Sequence, residues 1–153
     1  MGADARIAEL KLDLPPLPKP AGVYKPAVTV GNLVYISGHG PLKSDGTLIT
    51  GRLGADVDVD AGKAAARQTG LAILATLRAH LGSLDRVRRL IKTLGLVNCT
   101  PDFLQHPAVI NGYSELMADV FGPENGIGAR SAVGAPGLPG GIAVEIEAIF
   151  EIA

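Results

Sequence analysis

Apolar and polar side chains alternate one by one over residues 144–151, a pattern typical of a strand with one buried and one polar face. The side expected to face the core carries Val144, Ile146, Ala148 and Phe150, and the other side carries Glu145, Glu147 and Glu151. A Gly/Pro-rich connection links this strand to an earlier one that contains Arg130. We expect these two strands to be neighbours in a sheet.

Further strands are predicted earlier in the chain. Residues 27–30 and 33–37 predict a β-hairpin, because the Gly31-Asn32 pair between them accepts the positive φ angles of a two-residue turn. Shorter strands are expected at 41–43 and 47–50, on either side of Ser44-Asp45-Gly46. The aliphatic, β-branched stretch 87–97 predicts one more strand.

Apolar residues at helical spacing predict a helix over 61–81, with Asp58 or Asp60 at its start and Gly82 at its end. A second helical stripe covers 109–121; its start is expected at 100–102, with a restart at His106-Pro107. A short amphipathic helix is predicted over 3–10. The proline-rich stretch 14–20 is expected to run extended along the surface.

The order of these elements predicts an α+β fold in which two helices pack on one face of a mixed sheet. The opposite face would be covered by another subunit or by water. We expect one compact domain over 21–153, preceded at 1–20 by the short helix and a proline-rich strap.

The composition of the chain limits the kinds of partner and the location that we expect for it. A formal net charge of -1 and a pI near 6.3 leave no basic field for phosphate backbones, so nucleic acid is not expected as the main partner. A lone cysteine, Cys99, and the lack of a signal-like segment indicate a cytoplasmic protein. No apolar run approaches the roughly 18 residues of a membrane helix. A mean hydropathy of +0.29 favours an oligomer.

Arg130 is the main candidate for binding chemistry. It lies between Gly128 and Gly134, where little side-chain bulk would prevent a small anion from reaching its planar guanidinium. A carboxylate such as Glu145 could then handle protons or position a water molecule. The alternative is that Arg130 and Glu145 simply pair with each other or lie on the surface. The three histidines lack metal-ligand spacing, so no metal site is predicted.

Several segments also resemble the RidA/YjgF family, known too as the L-PSP endoribonuclease family. Residues 129–134, 138–139 and 144–149 (Ala-Arg-Ser-Ala-Val-Gly, Leu-Pro, Val-Glu-Ile-Glu-Ala-Ile) are similar to its C-terminal signature. Residues 21–28 and 33–38 resemble its opening and its first long strand, and Asp102-Phe103, Val109–Tyr113 and Phe121-Gly122 resemble its helical signature. The resemblance covers about 20–152 and is to a longer, poorly characterised branch.

This resemblance implies a chorismate-mutase-like fold and a homotrimer whose sheets form a central barrel. It also implies that small reactive 2-imino or enamine acids are hydrolysed to 2-oxo acids and ammonia in clefts between subunits, without a cofactor. By the same resemblance, Arg130 would clamp the substrate carboxylate and Glu145 would orient the water. Tyr24, Ser37 and Asn111 would line the site.

The chain also departs from the family pattern. Lys25-Pro26 and His39 stand where the family usually has Ser-Gln and Gln, and Ala132 stands where many members have cysteine. A noncatalytic trimer that binds a small carboxylic acid is therefore the main alternative. The endoribonuclease activity in the family's name is a third hypothesis, disfavoured by the charge balance.

Overall fold

The computed structural model describes residues 1–153, the whole chain. Its strands are β1 (Ala27–Val30), β2 (Leu33–His39), β3 (Val87–Asn98), β4 (Ala129–Ala135) and β5 (Val144–Ile152). Its helices are α1 (Ala3–Glu9), α2 (Val59–Leu81), α3 (His106–Phe121) and the short α4 (Pro123–Gly126). The sheet order is β1-β2-β5-β3-β4; β3 and β4 run parallel and all other neighbours are antiparallel.

The core lies between one face of this sheet and two helices. α2 packs on β2 and β5, and α3 packs on β3 and β4. The apolar residues of β5 are buried against these helices, whereas Glu147 is exposed and Glu145 half-buried, so the predicted alternation is confirmed. The α+β class, with two helices on one face of a mixed sheet, is confirmed as well.

Capping and turn residues in the sequence predict the ends of most helices and strands to within a few residues. The Asp58 carboxylate accepts a hydrogen bond from the Ala61 N–H at 2.8 Å and caps α2, and Gly82 ends the helix with a φ of 84°. Gly31 turns the β1–β2 hairpin with a φ of 60°. No helix combines the length and the apolar character that crossing a bilayer would need.

Two predicted elements differ in the structure. The strands expected at 41–43 and 47–50 are reduced to one bridge between Leu42 and Leu48. The second long helix begins at His106 and not at 100–102. Its expected start forms a turn, in which the Phe103 N–H donates to the Thr100 carbonyl at 3.2 Å, and the Thr100 N–H donates to the Leu53 carbonyl at 3.0 Å, which ties this segment to the loop before α2.

The expectation that the Arg130 strand and the last strand are neighbours is wrong. β3 lies between β4 and β5, and Arg130 on β4 is paired with Thr93 of β3. α3 forms a crossover between β3 and β4, and such a connection makes the two strands parallel. Residues 136–143 must therefore carry the chain past β3 before β5 begins.

Candidate functional site

Arg130 lies on the edge strand β4, and its side chain points toward α3. Its Nη1 donates to Oδ1 of Asn111 at 2.8 Å and to Oγ of Ser114 at 3.1 Å. Both partners are neutral, and Arg130 takes part in no ion pair. The guanidinium is therefore held in place while its positive charge has no carboxylate partner.

A cavity of about 390 Å³ lies beside this guanidinium. Its only carboxylate, that of Glu115, is engaged elsewhere, since its Oε1 lies 3.1 Å from Nζ of Lys63. The polar walls of the cavity are otherwise Thr93, Asn111, Ser114 and Arg130. An acid group entering this space would meet a cation, an amide and hydroxyls, which suits a carboxylate ligand.

Glu145 lies on β5, on the face of the sheet that the helices do not cover. A β-carbon at residue 38 would come within 2.8 Å of the Glu145 Oε2, so the space that the carboxylate occupies exists because Gly38 has no side chain. Partial burial, together with the charge of Glu147, raises the pKa of Glu145 above its usual range. A carboxyl group shifted in this direction is better suited to exchange protons near neutral pH.

Tyr24 and Glu145 line the same cavity, which has a volume of about 260 Å³. The Tyr24 hydroxyl accepts a hydrogen bond from the Ala21 N–H at 3.3 Å. Ser37 lines neither this cavity nor the one beside Arg130; its hydroxyl donates to the Lys25 carbonyl at 2.5 Å. In the single chain, Ser37 therefore holds the segment after Tyr24 in place.

His39 also borders the Glu145 cavity, but it is almost fully buried. Its Nδ1 lies 2.6 Å from the Ser37 carbonyl and its Nε2 2.8 Å from Oγ1 of Thr76. Because a carbonyl can only accept, the proton must be on Nδ1, and Nε2 accepts from Thr76. Burial lowers the pKa of His39, so the neutral form is favoured and the ring joins β2 to α2.

The two halves of the expected site lie on opposite faces of the sheet. Arg130 and Asn111 come together on the face that α3 covers, and Glu145 and Tyr24 come together on the other face. Glu145 does not line the cavity beside Arg130, and Arg130 does not line the cavity beside Glu145. One copy of the chain therefore presents the proposed clamp and the proposed carboxylate to different spaces.

Sequence reasoning missed two contributors. Ser114 follows Asn111 by three residues on α3, a spacing that places both on one helix face and could have revealed it. Residues 18–21, the end of the strap and the residue after it, line the Glu145 cavity but had no such signal because they are far from Glu145 in the chain. No group of three or more His, Cys, Asp or Glu side chains is arranged to hold a metal ion.

Comparison with known proteins gives a family match over most of the chain. The model described as "YjgF/chorismate_mutase-like, putative endoribonuclease" matches residues 4–145. Protein TCP17 of Trypanosoma cruzi is 41% identical over 148 residues, which are 97% of this chain and 92% of that protein.

Two solved structures are similar to this chain to different degrees. Protein Atu1372 of Agrobacterium tumefaciens, described as having unknown function, is 42% identical with a TM-score of 0.88, covering 99% of this chain and 93% of that one. RidA of the Antarctic bacterium Psychrobacter sp. PAMC 21119 is 31% identical with a TM-score of 0.64, covering 89% and 94%. The higher TM-score and coverage for Atu1372 agree with a longer branch beside RidA.

Proposed function

The chain belongs to the YjgF/chorismate mutase-like family, and we propose that it hydrolyses small 2-imino or enamine acids to 2-oxo acids and ammonia. The observation that carries this proposal is the Arg130 guanidinium, held by neutral side chains beside a cavity and without a carboxylate partner. A half-buried guanidinium on an edge strand, with no carboxylate partner, is well suited to bind the carboxylate of the substrate.

The second requirement of the reaction is a group that moves protons, and Glu145 supplies it. Its carboxylate would take a proton from water as the water oxygen adds to C2 of the C=N bond. The same carboxyl group would return this proton to nitrogen, which gives a carbinolamine. It would then move the hydroxyl proton of the carbinolamine to the amino nitrogen, so that the C–N bond breaks, ammonia leaves and the C=O bond of the 2-oxo acid forms. Because imines already hydrolyse in water, positioning plus one proton-transfer group, typically worth about 10² to 10⁴, is sufficient catalysis.

Arg130 and Glu145 can act on one substrate only if two copies of the chain meet, and we propose a homotrimer with clefts between subunits. The uncovered face of the sheet supports this assembly because it exposes apolar side chains, among them Val28, Val30 and Tyr35. Burying them against another copy would remove apolar surface from water. Solution scattering or sedimentation should then give three times the chain mass of 15.7 kDa.

The experiment on the clamp is Arg130→Gln, assayed on 2-iminopropanoate generated in situ by an amino acid oxidase. Pyruvate formation is followed with lactate dehydrogenase, and the spontaneous rate is subtracted. Loss of a charge-assisted hydrogen bond worth up to about 3 kcal/mol should lower kcat/KM roughly 100-fold. Arg78→Gln is the matched control, since Arg78 is an exposed residue of α2 that borders neither cavity. Equal activity of wild type and Arg130→Gln would refute the proposal.

Mixing variants tests whether the site is shared. Arg130→Gln and Glu145→Gln are each nearly inactive on this proposal, but unfolded and refolded together they should regain activity. If copies mix at random in a closed ring, about a quarter of the clefts would combine an intact Arg130 with an intact Glu145. No recovery, with mixed trimers shown by mass spectrometry, would refute a site shared between two copies.

A noncatalytic role as a binder of small carboxylic acids is the second candidate. The separation of Arg130 from Glu145 favours it, because binding an acid group requires only the Arg130 cavity. Calorimetric titration with 2-oxo acids would then show binding that Arg130→Gln abolishes, while ammonia release stays at the spontaneous rate.

A further inference from the structure

A separate pair of reactive side chains lies where β3 ends and α3 begins. Cys99, the only cysteine of the chain, directly follows β3, and His106 is the first residue of α3. Sγ of Cys99 lies 3.4 Å from Nε2 of His106. Neither residue borders the cavities that hold Arg130 and Glu145.

This pair opens onto its own cavity of about 380 Å³. The room for it depends on Gly134 of β4: a β-carbon there would come within 2.7 Å of the His106 Nε2 and 2.8 Å of the Cys99 Sγ. The imidazole is also supported from the side, since the Phe103 ring meets it edge to face with centroids 5.4 Å apart. Thiol and imidazole are therefore held together next to open space.

A cation completes the surroundings. Nη2 of Arg52 donates to the Cys99 carbonyl at 3.1 Å and to the Pro136 carbonyl at 3.0 Å, which places the guanidinium at the wall of this cavity. Arg52 takes part in no ion pair. The guanidinium contacts the carbonyl of Cys99 and the imidazole contacts its sulfur, and a histidine within reach of a thiol can act as the base that activates it as a nucleophile.

We propose that Cys99 is a nucleophilic thiol, with His106 as its proton acceptor, that adds to small α,β-unsaturated carbonyl compounds in this cavity. The thiol proton moves to Nε2 of His106, and the sulfur forms a bond to the β-carbon of the ligand. The C=C electron pair shifts to the α-carbon, which takes the proton back from His106. The sum is addition of S–H across C=C, with no oxidant or reductant.

The cavity also sets the size of the electrophile. Cys99 is only 6% exposed, so a reagent must enter the cavity to reach the sulfur. A small amide such as acrylamide meets this condition, and its carbonyl oxygen can accept a hydrogen bond from the Arg52 side of the cavity. A maleimide carrying a large dye should be excluded from the folded protein.

The test follows acrylamide addition to the native protein at pH 7 by intact-mass spectrometry, with glutathione as the reference thiol. Because His106 takes the thiol proton as the S–C bond forms, the rate constant should be at least about tenfold that of glutathione, a small part of what a positioned general base typically gives. His106→Gln should return the rate constant to the glutathione value. His80→Gln, which alters an exposed histidine of α2 that contacts Thr29, should leave it unchanged.

Gly134→Ala is a second variant that tests the contact between Cys99 and His106, because its methyl group fills the space beside the sulfur and the imidazole. It should slow addition even if His106→Gln fails to fold, and circular dichroism of each variant checks the fold. Labelling of Cys99 no faster than glutathione, labelling only in denaturant, or equal rates for wild type and folded His106→Gln would overturn the proposal. This readout does not depend on imine hydrolysis, so either proposal can fail alone.

Discussion

The cavity beside Arg130 and the cavity beside Glu145 are built in different ways. Arg130 is held by two side chains one helical turn apart on α3, the long helix before its strand, with only the short α4 in between. Glu145 is surrounded by the connection just before β5 and by two segments far away in the chain, the end of the strap and β2. The cation is therefore positioned within one strand–helix–strand unit, by partners 19 and 16 residues away, whereas the environment of the carboxylate includes segments more than 100 residues away.

Among the variants that test this difference between the two cavities, Glu145→Gln is expected to have the largest effect on activity. Glu145→Gln keeps the shape of the side chain but cannot take a proton from water, so kcat for imine hydrolysis should fall about 100-fold or more. KM should change little, because the Arg130 cavity lies on the other face of the sheet. Steady-state kinetics with the coupled pyruvate assay measure both constants.

Glu147→Gln is the matched control, since Glu147 is exposed two residues further along the same face. It removes the neighbouring charge that helps to raise the pKa of Glu145, so its main effect should be on the pH dependence of kcat. If Glu145→Gln raised KM and left kcat intact, Glu145 would contribute to binding and not to proton transfer.

This difference between the two cavities also explains what the sequence could predict. The alternation in β5, the stripe and cap of α2, and the turn at Gly31 are encoded by residues close together in the chain, and the structure confirms them. The family motif singled out Arg130 and Asn111, and the structure brings these two residues into contact.

The order of the strands was not accessible in the same way. Insertion of β5 between β2 and β3 depends on long-range pairing, which leaves no periodic signal in β4 or β5. The turn that begins at Thr100 is likewise held by a hydrogen bond to Leu53, which lies far away in the chain. The sequence therefore predicts Arg130 and Glu145 on neighbouring strands, although β3 separates them in the structure.

A medium effect is expected when the support of the clamp is weakened. Asn111→Ala or Ser114→Ala removes one hydrogen bond to Nη1 of Arg130, each worth about 1 kcal/mol or somewhat more. Each variant should raise KM about tenfold at most and alter kcat much less, because the guanidinium remains but is less well held.

Titration of a 2-oxo acid into each variant gives the same comparison without turnover. Thr47→Ala is a suitable control, since its hydroxyl bonds only to Asp45 in a surface turn. A double variant no weaker than either single variant would show that the two bonds act as one unit. Unchanged affinity in both single variants would mean that Arg130 needs neither partner.

The smallest effect concerns His39, which borders the Glu145 cavity and has no counterpart beside Arg130. Because burial lowers its pKa below the ordinary value of 6.5, the unfolded chain takes up a proton at this position before the folded protein does. The free energy of unfolding should therefore fall as the pH is lowered through about 6.5.

His39→Gln should lower the free energy of unfolding by about 1 to 2 kcal/mol at pH 7.5, where both ring hydrogen bonds are intact in the wild type. It should also make the free energy of unfolding depend less on pH below about 6.5. Urea unfolding of both proteins at several pH values measures this, with His80→Gln as the exposed-histidine control. An equally steep loss of stability below pH 6.5 in His39→Gln would show that another group titrates there and that the link between β2 and α2 does not depend on a neutral imidazole.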